Sequence, residues 1–224
     1  ASRIRTFQEL SRRIGKKKVI WRYDPLILTD SLNVESLTER IAGIAEQLRG
    51  FTEKLVVSFA DIGVYAKVCN NLKRENISYR EFTPALMSEA AQRLQELNRR
   101  WGLKIASCAE GIDLASYDIV HNRCVDDELM IELFRNDAKL MAFLGYEPGL
   151  FDDASRPNLK DKGQRKECGC IISKDIGRYD TCSHLCAYCY ANTSRTVVSS
   201  NLRKHRPDSD ALVSQVQRSP EEPD

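Results

Sequence analysis

Leu37-Thr-Glu-Arg-Ile41-Ala-Gly-Ile44-Ala-Glu-Gln-Leu48-Arg-Gly50, continuing as Phe51-Thr-Glu-Lys-Leu55-Val-Val-Ser-Phe59-Ala-Asp61, carries the pattern on which the fold turns. Leu37, Ile41, Ile44 and Leu48 recur at helical spacing and form one apolar stripe. Gly50 supplies the left-handed residue that stops a helix. Leu55 to Phe59 is then a short, continuous apolar run, which reads as a strand buried on both faces. The same grammar recurs on either side. Upstream, Ile4, Phe7, Leu10 and Ile14 share a helical face, Gly15 ends it, and Lys16-Lys-Lys18 leads into Val19-Ile-Trp21. Downstream, Thr83 caps a helix and Pro84 takes its first position. Leu86, Ala90, Leu94, Leu97 and Trp101 make the stripe, Gly102 ends it, and Leu103-Lys-Ile-Ala-Ser107 follows.

Helices that alternate with short apolar strands predict an α/β fold with parallel strands near residues 18–23, 54–59 and 103–108, covered by helices. No Gly-x-Gly-x-x-Gly follows a strand, which argues against a dinucleotide fold. Three strands do not close an eight-stranded barrel, and the chain opens inside a helix. The expectation is therefore part of a (β/α) barrel-like fold whose N-terminal strands are missing; a complete open sheet is the alternative. Asp126 is expected to cap a further helix that buries Leu129, Leu133 and Phe134. Residues 145–166 read as a loop. The organisation expected is an α/β domain over 1–150, a cysteine-rich segment over 151–193, and a polar tail over 194–224 whose last part is disordered.

Composition limits the function classes. The 224 residues are 42% apolar and 29% charged, as expected of a globular chain. No apolar run approaches the ~20 residues of a membrane span, and Ala1-Ser-Arg-Ile-Arg5 does not form a signal peptide. A cytoplasmic protein without membrane contact is expected. Lys and Arg number 34 against 32 Asp and Glu, a net charge of +2, which argues against a broad nucleic-acid face. Lys160, Lys162, Arg165 and Lys166 are interrupted by Asp161 and Glu167 and read as a solvated loop.

Chemistry in parallel α/β folds collects at the carboxyl ends of strands. Those ends bring Arg22 and Asp24, then Asp61, then Glu110. Each strand is followed by a carboxylate, so these four residues are candidates for the rim of a pocket that takes a small-molecule substrate. Helix capping is the competing role for each acid. Cys108, at a strand end, could act as a nucleophile, and Cys124, near a helix start, could be a stabilised thiolate; packing is the preferred role for both, and Cys69 is assigned no role.

Five of the eight cysteines, Cys168, Cys170, Cys182, Cys186 and Cys189, crowd into one short segment. Without a secretory signal, that pattern favours metal over disulfides. Cys182-Ser-His-Leu-Cys186-Ala-Tyr-Cys189 places three thiols in a tight Cys-x3-Cys-x2-Cys loop. Soft sulfur ligands so spaced suit three corners of a [4Fe–4S] cubane. The spacing, with Tyr188 before the last cysteine, resembles the cluster loop of radical S-adenosylmethionine enzymes. The resemblance implies that Cys182, Cys186 and Cys189 bind the cluster, that S-adenosylmethionine binds its open iron, that Tyr188 lies beside the adenine, and that an electron donor is a partner.

A wider resemblance covers most of the chain. Val19-Ile-Trp-Arg-Tyr-Asp-Pro25, Ser107-Cys-Ala-Glu110, Asp161-Lys-Gly-Gln-Arg-Lys-Glu-Cys-Gly-Cys170 and Asp175-Ile-Gly-Arg-Tyr-Asp-Thr-Cys182 through Asn192 are similar to a bacterial domain-of-unknown-function family numbered eighteen forty-eight. That family implies the cysteine loop and barrel-like plan but no established reaction. Cys168 and Cys170 remain open: a fourth cluster ligand, a separate metal with Cys124 or His184, or a redox pair. Zinc bound by four of the Cys and His residues is the competing metal. Three readings stand: a radical S-adenosylmethionine-like enzyme, a non-catalytic electron-transfer or cluster-binding module, and a zinc-stabilised binding module.

Overall fold

The computed structural model describes residues 2–147 and 156–213. In chain order the main elements are α1 (Ser2–Ile14), β1 (Trp21–Leu26), α2 (Val34–Leu48), β2 (Lys54–Phe59), α3 (Ala66–Arg74), α4 (Pro84–Asn98), β3 (Lys104–Ser107), β4 (Ile119–His121), α5 (Asp127–Phe134), α6 (Ala138–Leu144) and α7 (Arg195–Lys204). The chain divides into two compact units. One comprises residues 1–60 and 80–173, the other residues 61–79 and 174–224.

The larger unit is built on a four-stranded sheet in the order β1-β2-β3-β4. Every adjacent pair is parallel, with Trp21 opposite Leu55, Leu55 opposite Ile105, and Ile105 opposite Ile119. Leu55, Val56 and Val57 are fully buried, as the continuous apolar run requires of a central parallel strand. The α/β class and parallel strands thus stand as read from sequence.

The local stop and start signals also act as expected. Gly15, Gly50 and Gly102 hold φ of 94°, 81° and 64°, the left-handed region that a side chain disfavours. Thr83 accepts the N–H of Leu86 ahead of Pro84. Asn33 and Ser36 close a reciprocal box at the start of α2, each side chain accepting the other's backbone N–H. The apolar stripe of α2 packs with α4 and the sheet in one core that includes Leu37, Ile41, Leu48, Ala91 and Leu94.

Four details differ from the sequence reading. The first strand starts at Trp21, because Lys16–Lys18 forms a 3₁₀ turn that delays it. A fourth strand, Ile119–His121, joins the sheet; three residues are too few to show a periodicity. In α5 the buried residue is Ile131, with Phe134 43% exposed beneath the Lys18 ammonium. Finally, α3 and α6 were not anticipated, and Ser194, taken as the start of a tail, caps α7 by accepting the Val197 N–H. The expected boundary at 150/151 and the expected disorder over 214–224 lie outside the described residues.

Candidate functional site

In the larger unit, the carboxyl ends of β1, β2, β3 and β4 bring together residues that are far apart in sequence. Arg22 and Asp24 sit two apart on β1, so the pleat places them on the same side. They form an ion pair, and the other oxygen of Asp24 accepts the hydroxyl of Ser58 at the end of β2. Cys108 follows β3, with its N–H donating to Val57 O at 2.9 Å. Past β4, Asn122 N–H donates to Ser107 O at 2.8 Å. That bond carries the chain onward to Cys124.

The two thiols meet here. Cys108 Sγ and Cys124 Sγ are 3.5 Å apart, and neither is in a disulfide. Arg22 spans them, with Nη1 2.8 Å from Cys124 Sγ and Nη2 3.3 Å from Cys108 Sγ. Burial opposes the guanidinium charge, but hydrogen bonds to Cys108 and Asp24 outweigh it and raise its pKa. The Asn122 amide donates to Cys124 Sγ at 3.3 Å, while its buried Oδ1 has no hydrogen-bond partner.

The thiols therefore differ in character. The S–H of Cys124, aided by Arg22 and opposed by burial, brings the Cys108 thiol down to about 6. Cys124 moves the opposite way, because it shares the remaining proton with Cys108 and is itself partly buried. The pair behaves as one acid that gives up its first proton easily and its second with difficulty.

Cys168 and Cys170 lie in this same unit. Cys170 Sγ accepts the backbone N–H of Cys124 at 3.1 Å and of Val125 at 3.5 Å. Cys170 also shares a side-chain hydrogen bond with Cys168. Burial works against the Cys170 thiolate, yet the Val125 N–H and the Cys168 thiol lower its pKa overall. Gly169 between them is packed closely: a Cβ there would meet Arg123 Cγ at 3.0 Å. Glu110 is 6% exposed, and its carboxylate accepts the buried Phe59 N–H at 2.8 Å. That contact ties the loop after β3 to the end of β2.

The smaller unit holds Asp61 and the Cys182, Cys186 and Cys189 loop. The loop is closed at its base. Asp180 accepts both the N–H and the hydroxyl of Thr193, and its own N–H donates to Ala191 O at 3.2 Å. Asn192 donates to Cys182 O at 2.8 Å, and Asn71 of α3 donates to Cys189 O at 3.1 Å. Leu185 takes a left-handed φ of 52°, and a turn bonds Cys189 N–H to Cys186 O at 3.0 Å. Cys182 and Cys186 are exposed and Cys189 is half-buried. Tyr188 is 39% exposed, but the aromatic stack of this unit is built from other residues: Tyr190 lies 5.7 Å from Tyr65 and 6.4 Å from Tyr179. Cys69 bonds to Ile62 O and accepts the Tyr79 hydroxyl, a packing arrangement. Among the described residues, no three or more His, Cys, Asp or Glu side chains stand arranged around one point as metal ligands. The loop presents its thiols without having gathered them.

A family model matches residues 1–191, and its description is a domain of unknown function, DUF1848. The chain belongs to the DUF1848 family. No curated protein and no solved structure matches it. The DUF1848 match spans the whole thiol site of the larger unit and the three cysteines of the loop. Among the described residues, no helix is long and apolar enough to cross a membrane.

Of the four rim candidates, Arg22 and Asp24 pair beside the thiols, Glu110 is buried on the Phe59 N–H, and Asp61 belongs to the smaller unit; for Cys108 and Cys124 the sequence favours packing. Cys108 directly follows a recognisable strand, and that position was the available signal. For Cys124 the signal is its place near a helix start; its meeting with Cys108 is hidden because β4 is only three residues long.

Proposed function

We propose that this protein binds a [4Fe–4S] cluster through Cys182, Cys186 and Cys189. The observation that carries the reading is the closed base of the loop. Asp180 with Thr193, Asn192 with Cys182 O, and Asn71 with Cys189 O fix the backbone on both sides of three presented thiols. The donor set is chemically suited to iron: three soft sulfurs and no competing carboxylate between Cys182 and Cys189. The sulfurs gather when the metal arrives, since ligand convergence and local folding are coupled. When bound, such a cluster supplies one-electron chemistry, and an iron without a protein ligand can take S-adenosylmethionine.

What the chain's own residues contribute is position. The Asn71 and Asn192 amides hold the loop carbonyls, and the Asp180–Thr193 pair keeps the loop from spreading. We place the enzyme reading, a radical S-adenosylmethionine-like reaction on a small molecule with an electron donor as partner, above a pure electron-transfer role. Tyr65, Tyr179 and Tyr190 offer flat faces for a base such as adenine in the same unit. The sequential order of four parallel strands supports part of a (β/α) barrel as the wider fold. A cytoplasmic location completes the proposal.

Anaerobic purification with iron, sulfide and zinc analysis tests it. About four irons with matching sulfide per chain are expected, with loss of both in Cys186→Ala. One zinc without sulfide, or full iron in Cys186→Ala, overturns the reading.

A further inference from the structure

We propose that Cys108 and Cys124 form a redox-active dithiol that exchanges with disulfide substrates at the carboxyl end of the parallel sheet. This site lies wholly within the larger unit and does not depend on the cluster.

Three independent features converge on it. The first is proximity. The sulfurs are 3.5 Å apart, so forming a bond near 2.05 Å needs an approach of about 1.5 Å. The second is a fixed cation. Arg22 reaches both sulfurs, and its own position is held by Asp24, which is held in turn by Ser58. A guanidinium cannot be deprotonated in this setting and is less strongly hydrated than an ammonium, so it can stabilise a thiolate without surrendering its charge. The third is place. Cys108 and Cys124 follow neighbouring parallel strands at their carboxyl ends, where ligands bind in such sheets. A thiol pair that merely filled the core would need neither an anchored cation nor the Asn122 amide, which donates to Cys124 while its own Oδ1 remains unpartnered.

The arrangement assigns roles to the two sulfurs. Cys108 is the nucleophile. Its lowered pKa follows from the Cys124 S–H and from Arg22, against burial and against the Asp24 carboxylate. Besides burial, the charge of Cys108 in turn raises the pKa of the neighbouring Cys168. Cys124 keeps its proton until it is needed. In the first step the Cys108 thiolate attacks one sulfur of a disulfide R–S–S–R. A Cys108–S–S–R bond forms, the substrate S–S bond breaks, and R–S⁻ leaves. That thiolate takes the proton of Cys124. The Cys124 thiolate then attacks Cys108 sulfur, the Cys108–S–R bond breaks, and the second R–S⁻ takes a proton from water. The protein dithiol has lost two electrons to become a disulfide, and the substrate has gained them as two thiols. The reverse sequence oxidises a dithiol substrate.

The test uses the full chain and glutathione disulfide as probe, with alkylation, proteolysis and peptide-resolved mass spectrometry. A Cys108–Cys124 cross-linked peptide is expected as the first intramolecular product. Cys124→Ser should arrest the reaction as a glutathione adduct on Cys108, and Cys108→Ser should leave Cys124 reacting no faster than free cysteine under the same conditions. Circular dichroism establishes that each variant is folded. Arg22→Gln, folded, should slow adduct formation on Cys108 about tenfold at pH 6, whereas a purely structural arginine would leave the rate unchanged. The proposal is overturned if Cys108 reacts at pH 6 no faster than free cysteine under the same conditions. Preferential cross-linking of another cysteine pair overturns it too, as does a tightly held metal ion that protects Cys108, Cys124, Cys168 and Cys170 together.

Discussion

Removing the Cys124 thiol by Cys124→Ala should change how the reactivity of Cys108 depends on pH more than it changes reactivity at neutrality. The S–H of Cys124 is the largest influence holding Cys108 near about 6 instead of the ordinary 9.0; Arg22 adds to it, and burial and Asp24 oppose it. At pH 7 a thiol of pKa about 6 is about nine-tenths thiolate, while one of 9 is about one part in a hundred, so the fractions differ by about 90-fold. The more basic thiolate is also the better nucleophile. With a Brønsted coefficient of about 0.45, three units return about 20-fold, which leaves a net loss of only about fourfold. At pH 5.5 the fractions differ by about 750-fold, and the net loss rises to about 30-fold.

These are upper limits, because Arg22 remains in the variant and retains part of the shift. The assay is the rate of mixed-disulfide formation on Cys108, resolved by peptide mass, from pH 5 to 10. Wild-type protein should show a midpoint near 6, and Cys124→Ala should show one displaced upward, with the larger rate loss on the acid side. A wild-type midpoint in the ordinary thiol range, or superimposable profiles, would refute the reasoning.

Two further outcomes follow from buried polar contacts. Glu110→Ala strands the buried Phe59 N–H and should cost about 1–3 kcal/mol in urea unfolding, whereas Glu110→Gln keeps an acceptor and should recover most of that loss. Asn192→Ala removes the donor to Cys182 O. It should raise hydrogen-exchange rates across residues 180–193 by roughly fivefold, corresponding to about 1 kcal/mol, and an unchanged exchange pattern would show that the loop is held without Asn192.

The parts of this fold legible in sequence are those where local physics and tertiary structure agree. Leu37, Ile41 and Leu48 announce their buried face, and Gly15, Gly50 and Gly102 sit where only a left-handed residue ends the helix. Leu55 to Phe59 read as a two-sided buried strand because it is one. Where the two disagree, the reading fails. Ile119–His121 owes its strand state to pairing with Ile105–Ser107, with one buried residue and two exposed ones of its own. The thiol site was hidden for a related reason. Cys108 and Cys124 are 16 residues apart, and Arg22 lies 102 residues from Cys124. Only the parallel register brings them to one level. Cys182, Cys186 and Cys189 stood out because their spacing is local, which is also why their sequence pattern says nothing of Asn71, which holds Cys189 from another part of the chain.

That last bond has a consequence for biogenesis. Asn71 and Cys189 are 118 residues apart, and the smaller unit is composed of two stretches separated by residues 80–173. During synthesis at about 5–20 residues per second, α3 emerges several seconds before the loop it anchors. In that interval it is a nine-residue helix without its partner segment, too short to persist alone. The final stretch thus completes a structure that was begun much earlier. Any metal or partner that needs the finished loop must wait until Cys189 and its neighbours have been made, and a chain halted before Cys189 would leave α3 without the segment that bonds to Asn71.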